Sequence, residues 1–293
     1  MANFALRGLG VALVTPFNED YTIDYKALER IVQHIIDGCA DYIVVMGTTG
    51  ETPTLTPDEI SQISQAVRRY SAGRIPLVLG VGGNCTRAVC ERLRTEDLNG
   101  YSAILSVCPY YNKPNQEGMY QHFKAVAEAS PLTVILYNVP GRTGVNLLPK
   151  TTVRLAKECP NIIGIKEASG SVAAVSEIVS MKPDGFEVVS GDDGLTLRMM
   201  LEGATGVISV VGNVLPEEFG EMVHLAEEGK YTEASKIHRS FKELYKLMFA
   251  EGNPAGIKSA LSARGYCREV LRLPLVKVGN ICRGQIKDAL TQF

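Results

Sequence analysis

The stretch Ile162-Ile163-Gly164-Ile165-Lys166-Glu167-Ala168-Ser169 decides how the chain is read. Its apolar part is too short for a helix, is rich in β-branched residues and runs into polar ones, which marks a strand buried on both faces. Working outward, similar runs recur roughly every 20 to 35 residues, with helical patterns between them. They cover 11–15, 42–47, 77–81, 102–107, 133–137, 187–191 and 206–210, so that 162–166 is one of eight.

The intervening helices have their own signals. Over 24–38, Leu28, Ile31, Val32, Ile35 and Ile36 form one face of a 3.6-residue period, and Gly38 supplies a stop. In the next helix Thr56 can cap, Pro57 suits the first position and Glu59 completes a capping box, with Ile60, Ile63 and Val67 as the buried stripe. Eight buried strands, each followed by a helix, predict an α/β fold of the (β/α)8 TIM-barrel type, which needs about 200 to 250 residues. An open doubly wound sheet is the competing arrangement. It usually carries a Gly-rich phosphate loop after its first strand, whereas here that strand ends in Val14-Thr15-Pro16-Phe17.

Beyond about residue 225 the strands stop. The division expected is a catalytic barrel over 1–225 and a C-terminal helical domain over 226–293. Over 230–250 apolar residues recur at Tyr231, Ala234, Ile237, Phe241, Leu244, Tyr245 and Met248, which predicts one helix. Asn253-Pro254 then reads as a cap and a first-turn proline, opening a helix that ends near Gly265.

Composition narrows the function. The chain has 293 residues, 45% hydrophobic and 21% charged, with a net charge of −2. That balance argues against a basic nucleic-acid footprint or a polybasic membrane surface. No apolar run approaches the ~18 residues of a membrane span. The opening MANFALRGLGVALVTPF has one Arg and no small-residue cleavage pattern, so it is expected to be mature protein. Seven cysteines (Cys39, Cys85, Cys90, Cys108, Cys159, Cys267, Cys282) form no C-x-x-C pair, which suggests reduced, buried thiols in a cytoplasmic protein rather than disulfides or zinc.

Barrel enzymes collect their chemistry at the C-terminal ends of the strands. Lys166 ends one of them. Buried lysines are rare unless used or paired, and desolvation favours the free amine that attacks a carbonyl. Strand alternation puts Gly164 on the same face, where a missing side chain could make room for the lysine stem. The alternative is an ammonium that escapes to solvent or pairs with Glu167. Tyr137, one strand earlier, could shuttle protons beside an imine or simply pack. Thr48 and Thr49, between Gly47 and Gly50, offer hydroxyls and backbone N–H groups suited to a carboxylate, or form a bare turn. Arg142, after Pro140-Gly141, sits on a loop where its planar fork matches a carboxylate, or pairs locally. The histidines (His34, His122, His224, His238) fall in helices, away from these ends. Asp192-Asp193 lacks further carboxylates for magnesium, so no metal is expected.

These motifs together resemble the dihydrodipicolinate synthase/N-acetylneuraminate lyase family of class I aldolase-type barrels. The likeness runs from about Gly10 to at least Gly265. It includes Ala12-Leu13-Val14-Thr15-Pro16-Phe17, Gly47-Thr48-Thr49-Gly50-Glu51, Tyr137-Asn138-Val139-Pro140 and Gly164-Ile165-Lys166-Glu167. Gly141-Arg142-Thr143 and Tyr110-Tyr111 look like the synthase branch. The resemblance implies condensation of pyruvate with L-aspartate 4-semialdehyde on the diaminopimelate route to lysine, without metal or organic cofactor. It implies Lys166 as the imine nucleophile and Tyr137, Thr48 and Tyr111 as a proton relay, with Tyr111 reaching in from a neighbouring subunit. It further implies that Thr49, Gly191 and the backbone at Ile208 line the pyruvate site and that Arg142 grips the semialdehyde carboxylate. A homotetramer built from tight dimers follows from the same likeness.

One departure matters. Lysine-inhibited members often carry histidines after the Gly-Thr-Thr-Gly-Glu turn and a glutamate after the third-strand asparagine. Here Pro57 and Ile60 replace the histidines and Ala88 the glutamate, although Asn84 and Tyr110 remain. Weak or absent lysine feedback is therefore expected. Two other functions compete: a lyase of the same barrel for a longer 2-keto acid, which Arg142 argues against, and a binding barrel without turnover.

Overall fold

The computed structural model describes residues 4–293. Eight strands follow one another in the chain: β1 (Gly8–Ala12), β2 (Tyr42–Val45), β3 (Leu77–Gly80), β4 (Ala103–Val107), β5 (Thr133–Asn138), β6 (Ile162–Glu167), β7 (Glu187–Ser190) and β8 (Gly206–Ser209). They form a closed barrel in sequence order, with parallel pairing. This is the (β/α)8 fold that the alternating runs predict.

The helices between strands are α1 (Tyr25–Asp37), α2 (Pro57–Ser71), α3 (Thr86–Thr95), α4 (Gln116–Ala129), the one-turn α5 (Pro140–Thr143), α6 (Pro149–Glu158), α7 (Val172–Met181) and α8 (Thr196–Leu201). After β8 come α9 (Pro216–Glu227), α10 (Tyr231–Ser240), α11 (Lys242–Ala250), α12 (Ala255–Ala263) and α13 (Asn280–Leu290). Asp24 caps α1 through the Ala27 N–H, and Thr56 and Glu59 form the reciprocal capping box of α2. Among the described residues no helix is long and apolar enough to cross a membrane.

By compactness the chain divides into two units. One takes Pro76–Ile208 with the N-terminal stretch through Gly8; the other takes Leu9–Ile75 and Ser209–Phe293. In the first, Gly206 lies so close to the Gly8 backbone that a Cβ would stand 2.2 Å from the Gly8 oxygen, and the Gly8 N–H bonds to Thr205 O at 2.9 Å. In the second, Gly10 pairs with Tyr42, whose ring occupies the space a side chain would need.

Four details differ from the sequence reading. The first strand spans Gly8–Ala12 rather than 11–15, because Gly8 and Gly10 are selected by close backbone and ring approach and do not look strand-like. The single helix expected over 230–250 breaks at Phe241, which joins α10 to α11. Phe241 is fully buried there, edge-on to Phe219 at 5.4 Å and 4.6 Å from Phe293 between ring centres. In α2, Ile63 and Val67 are buried while Ile60 is only half-buried. Of the cysteines, all free, Cys39 and Cys85 are exposed rather than buried.

Candidate active site

In the first unit, β5 and β6 pair so that Tyr137 is the register partner of Lys166. Lys166 is 6% exposed and Tyr137 8%, and the lysine Nζ lies 4.5 Å from the centre of the phenol ring. The side chain thus stays folded into the barrel and does not turn to Glu167. That carboxylate is fully buried and already occupied, Oε1 accepting from the Ser169 N–H at 2.7 Å and Oε2 from Asn138 Nδ2 at 2.9 Å. Burial pushes the Glu167 carboxyl up, and these two hydrogen bonds oppose the shift.

The room for the lysine stem comes from a different glycine than expected. A Cβ on Gly164 would meet Glu187 O at 2.4 Å and Leu6 Cδ2 at 2.5 Å, away from Lys166. Gly191, just past β7, is the residue that clears the space. A Cβ there would stand 3.0 Å from Lys166 Cε, 3.2 Å from its Cγ and 2.5 Å from Ala168 Cβ. A side chain there would clash with Ala168 and press on the lysine stem. Ile208, 1% exposed, stands on β8.

Asn138, at the end of β5, ties three segments together and was not singled out from sequence. Besides Glu167, its Nδ2 donates to Asn146 Oδ1 at 2.8 Å, and its Oδ1 accepts from the Leu147 N–H at 2.9 Å. These bonds close the segment that carries Arg142. Arg142 itself is exposed and sits on α5, a single helical turn rather than an open loop, ended by Gly144 at φ +74°. Thr143 braces the turn by donating to Val145 O at 2.9 Å. Lys113, reaching from the segment after β4, lies against Gly144, where a Cβ would be 3.1 Å from its Cε.

Tyr111 stands on that same segment, 88% exposed, with φ +75°, a left-handed conformation uncommon for a side chain of its size. Asn112 fixes the segment by donating to Asn84 O at 2.9 Å. Burial, aided by Glu167, pushes the Cys108 thiol up to about 12, which disfavours its thiolate.

In the second unit, Thr48–Gly50 form one turn of 3₁₀-helix after β2, and Thr49 is 3% exposed. The N–H groups of Gly50 and Glu51 close the turn onto Gly47 O and Thr48 O. Thr15 Oγ1 holds Gly50 O at 2.7 Å and Thr52 Oγ1 holds Gly47 O at 2.9 Å. The turn is thus braced on both sides. All four histidines lie on helices, as expected.

A closed parallel barrel with a lysine sequestered at a strand end beside a phenol defines the class, a lyase of the class I aldolase type. Residues 5–293 match the Dihydrodipicolinate synthetase family, and the chain belongs to that family. Over 293 residues it is 53% identical to a 4-hydroxy-tetrahydrodipicolinate synthase of Parabacteroides distasonis, an alignment covering all of this chain and 99% of the relative. Its structure is similar to dihydrodipicolinate synthase from Aquifex aeolicus, with a TM-score of 0.94 and 40% identity over 98% of each chain. It is equally similar to the chloride-inhibited dihydrodipicolinate synthase of Acinetobacter baumannii complexed with pyruvate, with a TM-score of 0.95 and 41% identity over 98% of each chain.

Proposed function

We propose that this chain condenses pyruvate with L-aspartate 4-semialdehyde to 4-hydroxy-tetrahydrodipicolinate, through an imine on Lys166. The observation that carries the reading is the lysine itself: a buried side chain whose Nζ lies beside the Tyr137 ring, with Gly191 against its stem. The Lys166 amine attacks the keto carbon of pyruvate, forming a C–N bond and releasing the carbonyl oxygen as water. A methyl proton then leaves through the relay of Tyr137, Thr48 and Tyr111. The resulting enamine carbon attacks the aldehyde. The substrate amine finally adds to the imine carbon, closes the ring and returns the Lys166 amine.

Thr48 and Thr49 take the pyruvate carboxylate in this reading, with the backbone at Ile208 and Gly191 as the adjoining wall, and Arg142 takes the semialdehyde carboxylate. The protein contributes orientation and a covalent electron sink. Tyr111 belongs in a neighbouring copy's relay, and its exposure supports that assignment. The corresponding assembly is a homotetramer of tight dimers in the cytoplasm. Sizing that finds a fully active monomer would remove Tyr111 from the relay.

A paired assay tests the reaction. Pyruvate with the semialdehyde gives product, and N-acetylneuraminate releases no pyruvate; the reverse result would assign the chain to a longer 2-keto acid. Lysine feedback is weak in this reading, because Pro57, Ile60 and Ala88 offer neither imidazole nor carboxylate to a cationic ligand. Micromolar lysine halving the initial rate would reject that point.

A further inference from the structure

Two buried charges stand next to the Thr48–Gly50 turn without a part in the chemistry above. Glu51 is 1% exposed and Lys258, on α12, is fully buried. Lys258 Nζ donates to Glu51 Oε1 and, at 2.8 Å, to Val270 O, and it lies 4.1 Å from the centre of the Phe17 ring. The second carboxylate oxygen of Glu51 accepts from the Arg272 N–H at 3.1 Å. Both oxygens are thus held by the C-terminal segment, more than two hundred residues away in the chain.

The backbone at Glu51 needs such a hold. Its φ is +53°, the left-handed region, where a side chain carries strain of roughly 1 kcal/mol or more. Glu51 also closes the turn that presents Thr48 and Thr49, through its N–H to Thr48 O. A second bond from the same C-terminal segment reaches Thr49 directly. Asn253 Nδ2 donates to Thr49 Oγ1 at 3.0 Å, with both residues buried. A threonine hydroxyl has one hydrogen and two acceptor positions. With one lone pair taken by an amide N–H, its hydrogen points away from the donor and remains available for an acceptor elsewhere.

We propose that Asn253 and Lys258 are positioning residues of the carboxylate subsite: Lys258 fixes the Thr48–Gly50 turn through Glu51, and Asn253 aims the Thr49 hydroxyl hydrogen at the bound carboxylate. This rests on the assignment of Thr49 to the pyruvate carboxylate. The C-terminal helices are then part of the substrate-binding device, beyond any role in packing. A buried ion pair is by itself weak evidence for stability, so holding one conformation is the better account of this pair.

Asn253→Asp tests the proposal in the full-length enzyme, because it exchanges the amide donor for an acceptor of the same shape. The Thr49 hydrogen then turns to the aspartate and is lost to the substrate. Pyruvate KM should rise about tenfold or more, the range for losing a hydrogen bond to a charged group. The semialdehyde KM should stay near wild type, while the melting temperature falls because the new carboxylate is buried. Thr49→Val should raise pyruvate KM comparably, and adding Asn253→Asp to it should bring no further rise. An additive double variant means simple charge repulsion and overturns the proposal. So does a normal pyruvate KM in Asn253→Asp when Thr49→Val is impaired. A normal pyruvate KM in Thr49→Val removes the carboxylate assignment itself. Should Asn253→Asp not fold, Glu51→Gln reads the other arm: a raised pyruvate KM supports it, and lost stability with unchanged pyruvate KM contradicts it.

Discussion

Lys166 and Tyr137 are register partners on neighbouring parallel strands, and the lysine Nζ lies 4.5 Å from the centre of the phenol ring. In the proposed mechanism the pair separates two jobs, nucleophile and proton carrier, onto adjacent strands whose spacing the hydrogen-bonded ladder fixes. Tyr137→Phe keeps the ring beside the lysine and removes the hydroxyl. Turnover should fall by roughly 10²–10⁴-fold, while borohydride still traps a pyruvate adduct. A variant that forms no adduct would make Tyr137 a structural support for the lysine instead.

Gly191→Ala asks whether the lysine needs the cleared space. The added methyl would stand 2.5 Å from Ala168 Cβ and 3.0 Å from Lys166 Cε, so Ala168 must move and the lysine stem must give by a few tenths of an ångström. Imine formation should slow by about tenfold or more, since small misplacements at a reacting centre are costly. Gly164→Ala clashes with the β7 backbone and Leu6 instead, and should lower stability before it affects trapping. The two variants reversing these effects would return the stem-clearing role to Gly164.

Arg142→Ala should harm use of the semialdehyde far more than pyruvate imine formation. The expected loss in semialdehyde kcat/KM is roughly 10²-fold, for a charge-assisted bidentate contact. Steady-state kinetics with each substrate varied reads the split. Equal losses for both would leave Arg142 a structural role in the α5 turn.

Acid stability has an identifiable contributor in Glu59, whose carboxylate receives both NH1 and NH2 of Arg272 at 2.7 and 2.6 Å. Bonding by Arg272 lowers the Glu59 carboxyl to about 2, against the smaller opposing effect of burial. A folded-state value below the unfolded one means that the unfolded chain takes up its proton first as pH falls. The contribution is therefore present above the usual carboxylate range and is lost as pH falls toward about 2. Glu59→Gln should cost about 1–2 kcal/mol near neutral pH after allowance for solvent screening. Urea unfolding at pH 6 and pH 3 checks it: the gap between wild type and variant should narrow at the lower pH. A constant gap would assign the loss to packing.

Much of the barrel was legible because its determinants are local. Continuous β-branched runs and the Thr56-Pro57-Glu59 cap announce strands and a helix within a few residues of themselves. The first strand was misplaced because Gly8 and Gly10 are there for what approaches them, which no local pattern records. The helix break at Phe241 follows from ring contacts with Phe219 and Phe293, and α13 lay beyond the reach of the motifs. The burial of Lys166 is legible in the sequence because an ionisable residue ends an apolar run. The same signal is present in Ala255-Gly256-Ile257-Lys258-Ser259-Ala260-Leu261, a lone lysine among small and apolar residues. Its partner Glu51 lies 207 residues away, and only the fold brings the two together.

The most direct measurement is mass spectrometry of the enzyme treated with borohydride in the presence of pyruvate. One reduced pyruvate adduct per chain is expected, on the peptide carrying Lys166, and none in Lys166→Ala. An unmodified Lys166 peptide, or an adduct on another lysine, would contradict it.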